Sequence, residues 1–220
     1  MTALPPRLLV LDLDGTLSDS LPDLTSALNR SLARHGAAPL TLEQARGMVG
    51  DGIPPLFQRG YAARGLVLTE TDLAAGAADY AANATAETAL YPGALAALRE
   101  LRAAGWRLAV CTNKPEAPAR VLLTHLGVLP FLAAVGGGDS FAVRKPDPGH
   151  VRLTVAAAGG DMGRSVMIGD HHNDVAAGKA AGLPTIFASW GYGPEEVGAE
   201  ADATVRGFGE VAEVAGWLVG

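Results

Sequence analysis

The 220-residue chain has a single cysteine, Cys111, so it has no internal disulfide to form. An excess of positive charge is also missing. Against 23 acidic residues stand 17 basic ones, and a net charge of -6 has the wrong sign for a protein that binds by neutralising nucleic-acid phosphates. Apolar runs are short: Leu8 to Leu11 and Leu108 to Cys111 fall far below the roughly 20 residues needed to span a bilayer. No basic segment followed by an apolar stretch and a cleavage site opens the sequence. The expectation is therefore a cytoplasmic, reducing setting, with neither membrane nor nucleic acid as partner. Lysine is scarce as well, since of the 17 basic residues only Lys114, Lys145 and Lys179 are lysine. Arginine is this chain's default cation, which makes each lysine a position to explain. What remains is a globular composition, 49% hydrophobic and 18% charged, in a chain long enough to bury a sizeable core.

Hydrophobic patterning divides the chain in two. Leu8 to Leu13 reads as a short, almost wholly apolar strand of the kind found in buried parallel sheets, ended by Asp14-Gly15-Thr16. From Ser18 to about Thr88 the period becomes helical. Leu21, Leu24, Leu28 and Leu32 recur three or four residues apart, Thr41 with Gln44 forms a capping-box pattern, and no strand is evident. Tyr91-Pro92-Gly93 then breaks the chain, after which helices and strands alternate to the end, with strands expected at 106–111, 133–136, 165–168, 184–188 and 203–205. This order predicts an α/β fold, a doubly wound parallel sheet, with core residues 1–17 and 89–220 and a helical insert at 18–88. Such sheets bind ligands at the carboxyl ends of their strands.

The residues at those ends carry chemistry. The first strand gives Asp12 and Asp14, the second Thr112 and Asn113, the third is followed by Lys145, and the fourth gives Asp170 with Asp174. Two aspartates at i and i+2 of a strand end are expected on one face, and a third beside them requires a positive partner. An oxygen-rich site of this kind suits Mg²⁺ with one added lysine. It also suits phosphoryl transfer to an aspartate: metal and lysine neutralise the charges, a second carboxylate serves the leaving group and then water, and a hydroxyl and an amide hold the phosphoryl oxygens. An EF-hand reading fails because Gly15 falls at the fourth position of the loop instead of the sixth, and Gly136 to Gly138 lack the Lys-Ser/Thr of a P-loop.

Asp12-Leu13-Asp14-Gly15-Thr16, Thr112-Asn113, Lys145-Pro146, and Gly169-Asp170 with Asn173-Asp174 together resemble the four motifs of the haloacid-dehalogenase-like hydrolase superfamily. The resemblance implies that Asp12 is the nucleophile and Asp14 the general acid/base. It implies that Asp12, the Asp14 backbone carbonyl and Asp170 bind Mg²⁺, and that Thr112, Asn113 and Lys145 hold the phosphoryl group. By the same resemblance Asp174 orients the lysine or a metal-bound water, and 18–88 is a helical cap. An acid at position 14 favours a phosphatase or phosphomutase over a dehalogenase, because an alkoxide needs a proton and a halide does not. Met48 to Gly52, Thr112 to Pro115, Gly136 to Asp139, Lys145 to Pro148 and Trp190 to Gly193 are similar to the corresponding stretches of phosphoglycolate phosphatases. The expected partner is thus a small-molecule phosphate ester, first 2-phosphoglycolate. The alternatives are a sugar phosphate or nucleotide, a β-phosphoglucomutase-like phosphomutase, or an inactive metal- or phosphate-binding module. The chain reads equally as a monomer or a homodimer.

Two positions depart from the family pattern. His171 stands where Ser or Thr is usual, and Asp51 where phosphoglycolate phosphatases often carry Asn. A carboxylate at Asp51 is expected to disfavour a carboxylate-bearing ligand.

Overall fold

The computed structural model describes residues 5–220. The first strand, β1 (Leu8–Leu11), is buried throughout and pairs in parallel on both sides. It is followed by a two-residue strand β2 (Ser18–Asp19) and four helices, α1 (Leu21–Ala33), α2 (Leu42–Arg46), α3 (Ile53–Ala62) and α4 (Glu70–Asn83). The chain returns through β3 (Ala89–Leu90), then α5 (Ala94–Ala103), β4 (Arg107–Cys111), α6 (Glu116–His125) and β5 (Ala134–Gly136). The remainder runs α7 (Pro148–Ala157), β6 (Ser165–Gly169), α8 (His172–Ala181), β7 (Thr185–Ala188), β8 (Ala203–Val205) and α9 (Phe208–Val219).

Six strands form one parallel sheet in the order β5-β4-β1-β6-β7-β8. Alternation along the strands fills two apolar layers, as the period of two requires. Leu9, Leu11, Val110 and Ile168 pack against the side of α5, α6 and α9, while Leu8, Val10, Ala109 and Met167 pack against α7 and α8. Every strand reading of the alternating region is found in the sheet, with ends moved by at most one residue. No helix among the described residues is long and apolar enough to cross a membrane.

Helices α1 to α4 share an apolar cluster of their own, built on the leucine stripe of α1 with Phe57, Tyr61 and Tyr80. The capping box at Thr41 and Gln44 is formed on α2. Two local features differ from the sequence reading. β2 and β3 form an antiparallel ribbon at the two ends of the helical stretch, too short to leave a period in the sequence. The last helix stops at Asn83 instead of running to Thr88, because the buried Asp23 carboxylate draws out the following backbone. It accepts from the Glu87 and Thr88 N–H groups at 3.1 and 2.9 Å and from the Thr88 hydroxyl at 2.7 Å.

Candidate active site

Because β1 lies between β4 and β6, the residues that follow these three strands meet at one edge of the sheet. Asp12 continues the ladder, its N–H donating to the Ile168 carbonyl at 2.9 Å. The Lys145 ammonium, almost fully buried, donates to Asp12 Oδ1 at 2.8 Å and to Asp174 Oδ1 at 2.6 Å. Asp12 Oδ2 has no protein partner among the described residues. Burial, and then the facing Asp174 carboxylate, push the Asp12 pKa up to about 8. Burial acts the other way on Lys145, but Asp12 and Asp174 outweigh it and hold the ammonium charged.

Asp170, which follows β6, is the third member of the cluster. Its Oδ1 accepts from the Thr16 hydroxyl at 2.8 Å, and its Oδ2 from the Tyr192 N–H at 2.7 Å. Burial and the Asp174 charge raise its pKa to about 7. Asp174, on the first turn of α8, accepts from the His171 N–H at its second oxygen at 3.0 Å. Asp12, Asp170 and Asp174 bring one carboxylate oxygen each within 4.8 Å of one another, all buried. Three hard oxygen donors whose mutual repulsion disfavours full ionisation fit a divalent cation.

The Asp-x-Asp-Gly-Thr turn depends on Gly15. Its φ is +91°, and a Cβ there would lie 2.4 Å from Asp170 Oδ2. Gly15→Ala should therefore cost about 1–3 kcal/mol in backbone strain and displace the Asp170 carboxylate. Thermal unfolding and calorimetric titration with Mg²⁺ should show a lower midpoint and weakened metal binding. Wild-type values in both would remove this role for Gly15.

Asp14 lines the same pocket as Asp12 but is not part of the acidic cluster. β1 has ended at Leu11, so the period of two no longer orients position 14. Its carboxylate instead accepts from the Ser20 hydroxyl at 2.6 Å and from the Lys114 ammonium at 3.1 Å. Its side chain thus stands outside the acidic cluster, which leaves its backbone as the part to consider for a metal. Asp12 and Asp14 are thus paired with different lysines. Thr112 Oγ accepts from the Lys114 N–H at 3.1 Å, leaving its hydroxyl proton to donate. The Asn113 side-chain amide is spent on backbone, donating to the Lys145 carbonyl at 3.0 Å and the Gly50 carbonyl at 3.3 Å.

Lys114 was given no role by the sequence reading, though its rarity marked it. Its side chain is 2% exposed, and its ammonium also contacts the Tyr80 hydroxyl of α4. Burial lifts the Tyr80 pKa to about 12, so the phenol stays protonated. Tyr192 is a second unassigned residue: its hydroxyl accepts from the Ser20 and Leu21 N–H groups at 2.7 and 3.0 Å and donates to Asp19 at 2.8 Å. One segment therefore holds both Asp170 and the entrance to α1. A pocket lies above the site, with Asp12, Asp14, Thr112 and Lys114 on one wall and Leu24, Val49, Ile53 and Leu56 on the other. Cys111 is buried, its thiol pushed up to about 12 by burial, and takes no part.

Both departures from the family pattern have a local explanation. His171 caps α8 with its ring, Nδ1 accepting from the Asn173 N–H at 3.3 Å, which is the work a Ser or Thr hydroxyl does elsewhere. Asp51 does not line this pocket but an adjoining cavity, with Asn113 and Lys145. Its carboxylate is paired with Arg59 and accepts from the Asn173 amide at 2.8 Å. Burial opposes ionisation there, but these two partners win and hold its pKa below the usual range. Its charge is therefore met by Arg59, which weakens the expected repulsion of a carboxylate-bearing ligand.

A family model for haloacid dehalogenase-like hydrolases matches residues 6–182. A phosphoglycolate phosphatase of Rhodospirillum rubrum is 43% identical over 221 residues, covering 97% of this chain and 91% of that protein. A phosphoglycolate phosphatase of Agrobacterium fabrum is 42% identical, covering 87% of this chain and 84% of its own. Among solved structures, a predicted phosphoglycolate phosphatase from Haemophilus somnus superimposes with a TM-score of 0.85 at 26% identity, over 95% of this chain and 97% of that one.

Proposed function

The chain belongs to the haloacid dehalogenase-like hydrolase family, and from that premise we propose that it is a Mg²⁺-dependent phosphatase of 2-phosphoglycolate that works through a phospho-aspartate at Asp12. The observation that carries this reading is the division of labour between two lysine–aspartate pairs. Lys145 holds Asp12 with one oxygen free to attack, while Asp14 faces the pocket where a leaving group would sit.

In the first step Asp12 Oδ2 bonds to phosphorus, the bond from phosphorus to the ester oxygen breaks, and Asp14 gives that oxygen its proton. In the second, water attacks phosphorus, Asp14 takes a proton from it, and the bond to Asp12 breaks to release phosphate. Lys145 and the Thr112 hydroxyl meet charge on the phosphoryl oxygens, and Asp174 keeps the ammonium aimed. Mg²⁺ bound by Asp12, Asp170 and the Asp14 carbonyl would supply the charge neutralisation that lets one anion approach another. Residues 18–88 act as a cap that excludes water and limits ligand size. The single buried thiol suits a reducing, cytoplasmic setting.

A phosphomutase needs a second phosphate site under the cap, and the pocket wall given by these helices is aliphatic. Phosphate release should be measured from 2-phosphoglycolate, glucose 6-phosphate, β-glucose 1-phosphate and AMP, with Mg²⁺ and with chelator. Metal-dependent release strongest from 2-phosphoglycolate is expected. Preference for a sugar phosphate or nucleotide would overturn the substrate, and release unaffected by chelator would overturn the metal.

A further inference from the structure

We propose that Lys114 is the residue that recognises the carboxylate of the substrate, selecting short phosphate esters whose leaving group carries an anion. This rests on the reading of 2-phosphoglycolate as substrate and says which side chain makes that choice.

Charge complementarity favours Lys114 over Arg144, which lies near Gly52 but lines the adjoining cavity instead of this pocket. Among the described residues lining the pocket, Lys114 is the sole cation. The arginines of 18–88 are engaged elsewhere: Arg30 on Asp79, Arg46 on the Gly191 carbonyl, Arg59 on Asp51 and Arg64 on the Ala38 carbonyl. Arg34 donates to Ser31. The opposing wall has only aliphatic side chains and glycine to offer. A carboxylate entering there would meet Asp14 with no compensating charge unless Lys114 supplied it.

Reach and donor count agree. In a phosphorylated hydroxy acid the carboxyl carbon is two bonds from the oxygen that leaves. An ammonium 3.1 Å from Asp14, the group that protonates that oxygen, is within range of such a carboxylate and out of range of an anion at the far end of a long chain. The ammonium has three donors. Asp14 takes one, shared between oxygens at 3.1 and 3.3 Å, and Tyr80 a second, which leaves a third for the ligand. Tyr80, on α4, accepts from the ammonium, so the site is complete only with the helices in place.

The test is a matched pair of esters, 2-phosphoglycolate and ethyl phosphate, which differ in the carboxylate and have similar leaving oxygens. Lys114→Met should lower the ratio of their kcat/KM values by about a hundredfold, chiefly through KM for 2-phosphoglycolate. Lys114→Gln, which keeps a donor for Asp14, is run beside it, and both are first checked for cooperative unfolding. Equal losses on both esters would assign Lys114 to Asp14 alone and overturn the inference while sparing the substrate reading. A wild-type enzyme without preference for 2-phosphoglycolate would overturn both. A readout free of variants uses the wild type: glycolate should inhibit at least tenfold better than glycolamide, its neutral counterpart, and equal inhibition would contradict the assignment.

Discussion

Asp12→Asn should lower turnover of any phosphate ester by at least about 10⁴-fold while raising stability in metal-free buffer. The loss follows because an amide cannot form the phospho-enzyme. The gain follows from the electrostatics of the cluster. Burial and Asp174 raise the pKa of Asp12 from its ordinary 3.8 to about 8. Between those values the folded protein binds more protons than the unfolded one, so this group's contribution to stability falls as pH rises through that window. Asparagine has no such penalty. In thermal unfolding with chelator at pH 8, the variant should melt a few degrees above wild type, and the difference should vanish near pH 4. Added Mg²⁺ should narrow the gap by stabilising the wild type. A variant that melts lower at pH 8 would show that Asp12 is not held against its own charge.

Lys145→Met is the opposite case, losing both stability and activity. The ammonium lies 2.8 Å from Asp12 and 2.6 Å from Asp174, and its removal leaves two carboxylates buried side by side. Breaking a buried pair in this way costs about 3–5 kcal/mol, a large share of the stability of a domain this size. Turnover should fall at least about 10³-fold through the loss of charge at the phosphoryl group. The two effects can be separated. Lys145→Met with Asp174→Asn should recover much of the stability, measured by urea unfolding without metal, and none of the activity. If Lys145→Met alone unfolds at the wild-type urea concentration, the ion pairs are not what holds this edge of the sheet together.

How much of this was legible in the sequence depends on the range of the interaction. The parallel sheet was legible because Leu8 to Leu11 and Leu108 to Cys111 are unbroken apolar runs followed at once by polar residues, and each became a buried strand with the site at its end. Helix α1 was legible from four leucines on one face. The ribbon of β2 and β3 was not, since two residues per strand carry no period and their pairing spans some 70 positions. At the site, motif spacing marked Asp12, Lys145, Asp170 and Asp174, which the fold brings together. It could not show that Asp14 pairs with Lys114, nor that Tyr80 and Tyr192 reach in from far along the chain. The scarcity of lysine and the Thr112 to Pro115 stretch were the signals for Lys114. Asp51 misled because a charge read without its partners looks free, and Arg59 and Asn173 are visible as partners only in three dimensions.

The stereochemical course at phosphorus tests the central claim, that hydrolysis passes through Asp12, most directly. A phosphorothioate analogue of 2-phosphoglycolate, chiral through ¹⁶O and ¹⁷O, is hydrolysed in H₂¹⁸O with Mg²⁺, and the configuration of the released thiophosphate is determined. Two in-line displacements, the first by Asp12 and the second by water, predict net retention. Net inversion would mean that water attacks the ester itself, and would remove Asp12 as the nucleophile.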